Sequence, residues 1–296
     1  MAIVRPLRPE DIHRAQALMA ETWSDLLKEQ TGLEMQYPVR PARWYEARIS
    51  HEPSGTLCLE EGGEIIGTGF CLSCGSIGWI GPMEIIPGHQ GRKQGKLLLQ
   101  ALEKHLDSVG CTTIGLETMK DIVRNISFYV GNGYRVEQDV LYLEKTEVRA
   151  NDVSDQDFGK ADMSEIRRLA DTVISGYDPS KEFTMYESTG TGVTFHGEGV
   201  AALLVPDIIP GSGKAYLRTL LTEGSERSNE AIELVKSAEN EALRHGASSI
   251  FTIMPAKSEL LHPLLRGGYR PKGVDIRMMK GEIARKHECS IISWSG

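Results

Sequence analysis

An internal repeat limits the folds open to this chain more than any other feature of its sequence. The motif "GNGYR", with Gly133-Tyr134, recurs 135 residues later as "RGGYR", with Gly268-Tyr269. The strand-like segment "TTIGLETM" has a counterpart in "ASSIFTIM", with a slip of one residue. Self-similarity at a fixed distance indicates a duplicated folding unit. The sequence therefore predicts two copies of one fold, joined between residues 145 and 153.

The periodicity of the first copy predicts the order strand, helix, helix, three strands, helix, strand, helix, strand. This order indicates an α/β (α+β) fold in which each copy forms a mixed, mostly antiparallel twisted sheet flanked by helices. A length of 296 residues also favours two domains. The predicted ranges are 1–147 for the first domain, 148–280 for the second, and 281–296 for a C-terminal tail outside the repeat.

The charge balance argues against general nucleic-acid binding. The chain has 33 Lys and Arg residues against 41 Asp and Glu residues, a net charge of −8. Nucleic-acid binding depends on many cations meeting many phosphates. No apolar run reaches the ~18 residues of a membrane span, and the first residues lack the apolar core of a signal peptide. We therefore expect a cytoplasmic protein with neither nucleic-acid nor membrane partners.

The five cysteines indicate neither a metal site nor a disulfide framework. Cys71 and Cys74 form "CLSC", which has zinc or redox spacing. No second pair of cysteines or histidines accompanies them, and the surrounding residues have a strand, turn, strand pattern. We expect no bound metal.

The stretch "HQGRKQGKLLLQ", His89 to Gln100, is basic although the chain as a whole is acidic. It places two glycines and three cations directly before a helical leucine pattern. A helix N-terminus carries unpaired N–H groups and a partial positive charge, and glycines let an anion approach the backbone. The stretch therefore predicts a site for phosphate groups. It lacks the spacing of a Walker loop, because Gly91 and Gly95 are too close, and it has too few glycines for a dinucleotide fingerprint.

The same stretch resembles the Q-x-x-G-x-G loop of the GNAT N-acetyltransferase superfamily, with Gln90 at the first position and Gly95 at the last. Lys93 stands where the family usually has its first glycine, and a lysine with negative φ would still present its N–H there. The preceding "GWIGPMEIIP" resembles the family's fourth strand, and "NISFYVGNGYR" resembles its N-x-x-F-Y-x-x-x-G-[FY] stretch. The resemblance covers residues 2–147 well and the second copy in outline.

This resemblance implies acetyl-CoA, or another acyl-CoA, as a co-substrate. The pyrophosphate would lie on the N–H groups from Gly91 to Lys96, and the pantetheine arm would pair with the strand edge from Met83 to Ile86. The residues expected to bind it are Met83, Ile85, Ile86, Gln90, Gly91, Arg92, Lys93, Gln94, Gly95, Lys96 and Asn125.

The resemblance also implies direct attack of an amine on the thioester, without a covalent enzyme intermediate. Tyr129 would protonate the leaving thiolate, since a phenol is a neutral donor at pH 7. Glu84 is the expected general base; Glu117, a base acting through water, or no single base remain alternatives. Trp23, Trp44 and Tyr45 would either line an acceptor pocket or pack in the core.

The second copy lacks these features. Its loop position reads "SERSNEA", where Glu223, Glu226 and Glu230 would repel a diphosphate, and Leu264 stands in place of Tyr129. We therefore expect one active site, in the first copy. Two other functions remain open: a non-catalytic acyl-CoA sensor or scaffold, and a nucleotide-phosphate protein unrelated to CoA. The acceptor, a small-molecule or peptide amine, and the oligomeric state are not determined by the sequence.

Overall fold

A computed structural model describes residues 2–153 and 162–293 of the chain. By its internal contacts the chain forms two compact units. The first unit holds residues 2–73 and 78–114, and the second holds residues 74–77 and the described residues from 115 onward. Compactness therefore divides the chain after residue 114, whereas the repeat predicts a boundary after residue 147. The predicted domain ranges describe the repeat and stay a prediction.

The first unit is built on four strands in the order β1-β2-β3-β4, with β1 and β3 antiparallel to β2. Its elements are β1 (Ile3–Pro6), α1 (Ile12–Thr31), α2 (Ala42–His51), β2 (Thr56–Glu61), β3 (Glu64–Cys74), β4 (Ile77–Ile85) and α3 (Gln94–Ser108). Helix α1 buries an apolar stripe at helical spacing, at Ile12, Ala15 and Met19. Gly32, at φ 74°, ends that helix in the left-handed conformation that glycine adopts readily.

Helix α3 packs closely on its sheet through leucines. Leu98, Leu102 and Leu106 are fully buried. A Cβ added at Gly78 would lie 2.6 Å from Leu106, and one at Gly69 would lie 3.0 Å from Leu98 and Leu102. Glycine at these two strand positions therefore lets the helix approach the sheet, which positions the start of α3 at the end of β4.

The second unit contains the remaining elements. Its helices are α4 (Val123–Val130), α5 (Met163–Val173), α6 (Ser180–Ser188), α7 (Ser228–Arg244) and α8 (Leu261–Arg266). Its strands are β5 (Thr113–Met119), β6 (Arg135–Thr146), β7 (Val193–Gly197), β8 (Val200–Val205), β9 (Lys214–Thr222), β10 (Ser249–Pro255), β11 (Arg270–Lys280) and β12 (Ile291–Ile292). Helix α7 buries an apolar stripe at helical spacing, at Ala231, Val235, Ala238 and Ala242.

The final strands of the two copies exchange places. The strand order is β5-β11-β6-β10-β9-β8-β7, so that β11 of the second copy lies beside β5 of the first, and β6 of the first lies beside β10. β6 is antiparallel to both neighbours, whereas β9 and β10 are parallel. The sheet is thus mixed and mostly antiparallel, and the second copy supplies a strand next to β5.

Residues 281–293, which we call the closing segment, are an integral part of the second unit. The amide of Lys286 donates to Val173 O, and that of Ser293 donates to Arg218 O. Ile291 and Ile292 form β12, which pairs antiparallel with Leu220 and Thr219 of β9. The segment, predicted as a tail outside the repeat, thus completes the sheet of the second copy.

Candidate active site

The predicted phosphate loop lies between β4 and α3. Gly91 has φ 77° and Lys93 has φ 65°, so two left-handed residues turn the chain before α3 begins at Gln94. The expectation of a negative φ at Lys93 is therefore wrong. The turn requires the left-handed conformation at this position, which explains why a glycine is the more usual residue there.

Six successive backbone amides in this loop have no acceptor. The first bond of the helix runs from Leu97 N–H to Lys93 O, and no side chain caps the helix. Among the described residues, none accepts a hydrogen bond from the amides of residues 91–96. These N–H groups lie at the positive end of a 15-residue helix with no acidic residue in its first turn. The loop therefore offers several backbone N–H donors, at the positive end of a helix, to an anion.

The side chains of the loop divide into two groups. Gln90 donates to Ile85 O at 2.9 Å, and Gln94 donates to Glu61 Oε2 at 3.1 Å, so both glutamines anchor the loop. Arg92, Lys93 and Lys96 are exposed, and within the described part of the chain none of the three forms an ion pair. Three cations are thus available beside the six amides.

Glu84 is buried in the first unit, at 2% exposure, and its oxygens accept from three donors. Trp23 Nε1 lies 3.0 Å and Arg40 Nη1 3.3 Å from Oε1, and Thr68 Oγ1 lies 2.8 Å from Oε2. The sequence indicated Trp23 and Glu84 but not Arg40 or Thr68, which lie 44 and 16 positions from Glu84 and meet it only in the fold.

Aromatic rings surround this carboxylate. The Arg40 guanidinium lies 4.5 Å from the centre of the Trp44 ring, and Tyr37 stacks on Trp23 at 5.4 Å. Burial lowers the pKa of Arg40, but Glu84 and Tyr45 raise it above its ordinary value. Burial raises the pKa of Tyr45 to about 12. Arg40 is therefore a permanent cation beside Glu84. Trp44 packs edge-on against Tyr45, whereas Trp23 stacks on Tyr37 and donates to Glu84.

Tyr129 and Asn125 belong to the second unit and are therefore described separately from the loop. Both lie on α4 and are partly buried. The Tyr129 ring packs edge-on against Tyr134 at 5.8 Å, and burial raises its pKa to about 12. Its hydroxyl bonds to no residue within 2–153 or 162–293. The phenol is therefore protonated at neutral pH and open to a ligand.

Glu117, the alternative base, forms a buried ion pair in the second unit. Arg277 Nη2 lies 2.7 Å from Glu117 Oε1, and the two side chains are 0% and 1% exposed. The 160 residues between them explain why the sequence did not reveal this pairing. It depends on the exchange that brings β11 next to β5.

In the described residues of the second copy, the segment ahead of α7 does not form a comparable loop. Ahead of α7, Arg227 pairs with Glu198 at 2.9 Å and with Glu230 at 3.1 Å. Hydrogen bonds from its own backbone N–H and from Arg227 lower the pKa of Glu230. A carboxylate thus occupies the positive end of this helix, and Leu264 is buried at 2% exposure in the place of a tyrosine.

Residues 2–153 and 162–293 contain neither a metal site nor a helix that could span a membrane. No group of three His, Cys, Asp or Glu side chains there is arranged to hold a metal ion. No helix in those ranges is long and apolar enough to cross a membrane. Cys71 and Cys74 are buried on β3 and do not form a disulfide bond.

Comparison with known proteins identifies the family. A model described as the acetyltransferase (GNAT) family matches residues 17–134. An acetyltransferase of Sodalis glossinidius is 31% identical over 103 residues, which are 34% of this chain and 70% of that protein. The chain belongs to the GNAT acetyltransferase family. The matched GNAT region includes the loop from Gln90 to Lys96 and Tyr129.

Solved structures share the GNAT fold along nearly the whole chain. A proposed acetyltransferase from Pyrococcus horikoshii has a TM-score of 0.73 at 16% identity, covering 99% of this chain and 95% of that one. A tandem GNAT protein from the clavulanic acid biosynthesis pathway has a TM-score of 0.61 at 12% identity, covering 95% and 98%. At these identities the likeness concerns the fold, and it confirms the predicted tandem GNAT architecture.

Proposed function

We propose that this GNAT protein transfers an acetyl group from acetyl-CoA to an amine, at a site in its first copy. One observation carries the proposal: six successive amides, from Gly91 to Lys96, lack acceptors at a helix N-terminus flanked by three exposed cations. A diphosphate matches this arrangement, because its oxygens accept from several N–H groups at once and its charge complements the helix dipole.

The remaining contacts to acetyl-CoA are assigned by family resemblance. Met83, Ile85 and Ile86 would offer the strand edge to the pantetheine arm, and Asn125 would reach the same arm. The N–H near Ile85 would stabilise the carbonyl oxygen as it gains negative charge. In the second copy, the closing segment already pairs with the end of β9, the strand that corresponds to β4. This occupied strand, together with the carboxylates ahead of α7, supports a single active site in the first copy.

The chemistry forms an N–C bond between the amine and the acetyl carbon and breaks the C–S bond of the thioester. Tyr129 would assist the departing thiolate. With a pKa of about 12, its phenol stabilises the thiolate by donating a hydrogen bond more readily than by giving up the proton outright. Glu84 stays the predicted base, but three donors already use three of the four lone-pair sites of its carboxylate, which leaves one site on Oε2 for a proton.

The alternative, a non-catalytic acyl-CoA sensor, is favoured by one specific observation. Both carboxylates predicted as the base already accept hydrogen bonds from other side chains, Glu84 from three donors and Glu117 from Arg277 through Oε1. A sensor needs the phosphate loop but no base and no proton donor. The two functions therefore differ in turnover and agree in acetyl-CoA binding.

Calorimetry with acetyl-CoA tests the loop, and thiol release from acetyl-CoA with a panel of amines tests the reaction. Arg92→Ala should weaken acetyl-CoA binding, whereas Lys104→Ala, an exposed cation farther along α3, should not. Tyr129→Phe should lower turnover by about 10²-fold or more while acetyl-CoA still binds. Tight binding without thiol release from any amine would favour the sensor, and no binding would refute both.

A further inference from the structure

Glu61, the last residue of β2, places one carboxylate oxygen between the two ends of the phosphate loop. Gln94 Nε2 donates to Glu61 Oε2 at 3.1 Å, and His89 Nδ1 lies 3.4 Å from the same oxygen. Gln94 is the first residue of α3, and His89 lies directly before the loop. All three residues belong to the first unit. The oxygen therefore contacts a side chain that precedes the left-handed turn and one that follows it.

A tight hairpin fixes the position of Glu61. It pairs with Glu64 across the turn between β2 and β3, and two glycines, Gly62 and Gly63, separate the pair. The glycines have φ 63° and 87°, and two successive positive φ values are typical of a type I′ hairpin turn. Strand β2 lies between β1 and β3, and α3 packs against it. Glu61 thus belongs to a regular part of the sheet and can support the irregular loop beside it.

The loop needs support because Lys93 adopts an unfavourable conformation. Its φ of 65° is a left-handed value, which is disfavoured about five- to thirtyfold for a residue with a Cβ, or by about 1–2 kcal/mol at about 1.4 kcal/mol per factor of ten. Strained backbone persists only where surrounding contacts determine it. Gln90 provides one such contact, to Ile85 O, and Gln94 provides the other, to Glu61. Without the second contact, the loop should relax away from the left-handed turn.

The Gln94 side chain has no second partner in the described part of the chain. It is 8% exposed, and its Oε1 is buried without a hydrogen bond. Its single bond, to Glu61, therefore determines how the amide is oriented. Since α3 begins at Gln94, this bond connects the start of the helix, with its unbonded N–H groups, to the end of β2.

The charge of Glu61 opposes phosphate binding rather than assisting it. A carboxylate this close to the loop repels a diphosphate, and the cations Arg92, Lys93 and Lys96 have to outweigh the repulsion. Among the described residues, the cation within ion-pair distance of Glu61 is His89, and only when its ring is protonated. A favourable contribution of Glu61 to phosphate binding must therefore come from the hydrogen bond that it accepts.

We propose that Glu61 is a positioning residue for acyl-CoA binding: through Gln94 and His89 it holds the left-handed turn at Lys93 and thereby aligns the six amides of the loop. This inference rests on the proposed function, since it concerns the loop that would bind the diphosphate. In this role Glu61 touches neither the diphosphate nor the reacting atoms. Its loss lowers the fraction of molecules whose loop is in the binding conformation, and the apparent affinity falls by that fraction.

Two substitutions at position 61 separate the hydrogen bond from the charge. Glu61→Gln keeps an acceptor oxygen for Gln94, whereas Glu61→Ala does not, and both remove the same negative charge. In calorimetry, Glu61→Gln should bind acetyl-CoA about five- to thirtyfold more tightly than Glu61→Ala, and at least as tightly as wild type. Equal affinities of the two variants would overturn the proposal.

Glu64→Ala is the matched control for these substitutions. Glu64 is exposed, carries the same charge directly opposite Glu61, and bonds to no loop residue within 2–153 or 162–293. Its replacement should change the affinity for acetyl-CoA by less than about twofold. A loss in Glu64→Ala as large as that in Glu61→Ala would mean that the hairpin as a whole, and not the Glu61 oxygen, holds the loop.

Replacement of Lys93 tests the connection between Glu61 and the turn. Glycine adopts the left-handed conformation without the cost of a Cβ, so it should restore binding where the Glu61 contact is lost. In the Glu61→Ala background, Lys93→Gly should bind acetyl-CoA about two- to fivefold more tightly than Lys93→Ala. The two should be nearly equal when Glu61 is present. The same ratio in both backgrounds would contradict the coupling of Glu61 to this turn.

Kinetics with an amine found in the panel give a readout that a general loss of stability would not. Because Glu61 touches no reacting atom in this role, Glu61→Ala should raise KM for acetyl-CoA by the factor seen in calorimetry. Its kcat at saturating acetyl-CoA should stay within about twofold of wild type. A fall in kcat with an unchanged KM would assign Glu61 to the chemical step and overturn the positioning role.

NMR without ligand keeps this proposal separate from the proposed function. The Cα and Cβ chemical shifts of Lys93 report its backbone conformation, so they should change in Glu61→Ala and stay unchanged in Glu61→Gln. If they do so but wild type does not bind acetyl-CoA, the proposed function is wrong and the role of Glu61 in the loop stands. If wild type binds acetyl-CoA but the Lys93 shifts are the same in both variants, the role of Glu61 is wrong and the proposed function stands.

Discussion

Replacement of Lys93 by glycine should stabilise the protein relative to replacement by alanine. Lys93 has φ 65° and ψ 2°, in the left-handed region, where a residue with a Cβ costs about 1–2 kcal/mol. Glycine removes that cost but loses about 0.5–1 kcal/mol more conformational entropy on folding. Lys93→Gly should therefore exceed Lys93→Ala in free energy of unfolding by roughly 0.5–1 kcal/mol, or about 1–4 °C in Tm.

The alanine variant serves as the reference because both variants remove the same charge. Any loss of acetyl-CoA affinity common to the two, expected to be about two- to fivefold for one exposed cation, measures the Lys93 side chain alone. A difference in Tm between them measures the backbone alone. Thermal unfolding and calorimetry with acetyl-CoA therefore separate the two contributions of this residue.

Lys104 provides the control for the sign of the effect. It lies in the interior of the same helix, α3, where glycine costs about 1 kcal/mol relative to alanine. Lys104→Gly should therefore be less stable than Lys104→Ala, the reverse of the order at position 93. If Lys93→Gly is also less stable than Lys93→Ala, the left-handed turn before α3 does not form as described, and the argument for the phosphate loop loses its geometry.

Three further predictions concern the second unit. Ile291→Ala should lower the free energy of unfolding by about 2–5 kcal/mol in denaturant titration, because Ile291 is fully buried; a loss below 1 kcal/mol would mean that the closing segment is not packed as described. Arg277→Met should lower the free energy of unfolding by about 3–5 kcal/mol, because it leaves the buried Glu117 carboxylate without a counter-charge. Adding Glu117→Leu should recover much of that loss. No recovery in this double variant would contradict the pairing. The pKa of Asp275, raised to about 6 by burial and by the nearby carboxylates of Glu117 and Asp121, favours its neutral form, so its contribution to stability is complete below about pH 4 and is lost as pH rises through 6. As pH rises from 4 to 7.5, the free energy of unfolding of Asp275→Asn should therefore increase relative to that of wild type. The relative increase is at most about 3 kcal/mol and is smaller because the group is partly exposed. Equal changes in the two proteins would contradict the raised pKa.

Family membership and the phosphate loop could be predicted from the sequence because both depend on neighbouring residues. The loop from Gln90 to Lys96 places glycines, cations and a helix start within seven positions, and each of these has a local conformational meaning. The repeat signalled by Gly133-Tyr134 and Gly268-Tyr269 likewise depends on similarity along the chain. The loss of the loop in the second copy was equally visible in the glutamates ahead of α7.

Tertiary structure alone decided which side chains meet. Glu84 was a candidate base from its position on a strand, but only the fold reveals that Trp23, Arg40 and Thr68 already donate to it. Similarly, Glu117 became half of an ion pair with a residue 160 positions away. A strand's period of two assigns a residue to a face, but it does not identify the strand that lies beside it.

The exchange of β6 and β11 shows most clearly which features the sequence determines and which the tertiary structure decides. The sequence predicted two similar copies, the first of which ends in a strand after its final helix. Both copies have closely similar edges for the last strand to join, so local preferences do not choose between them. The choice is made by pairing across the whole sheet, and only that choice brings Asp275 of the second copy to the side of Glu117 in the first.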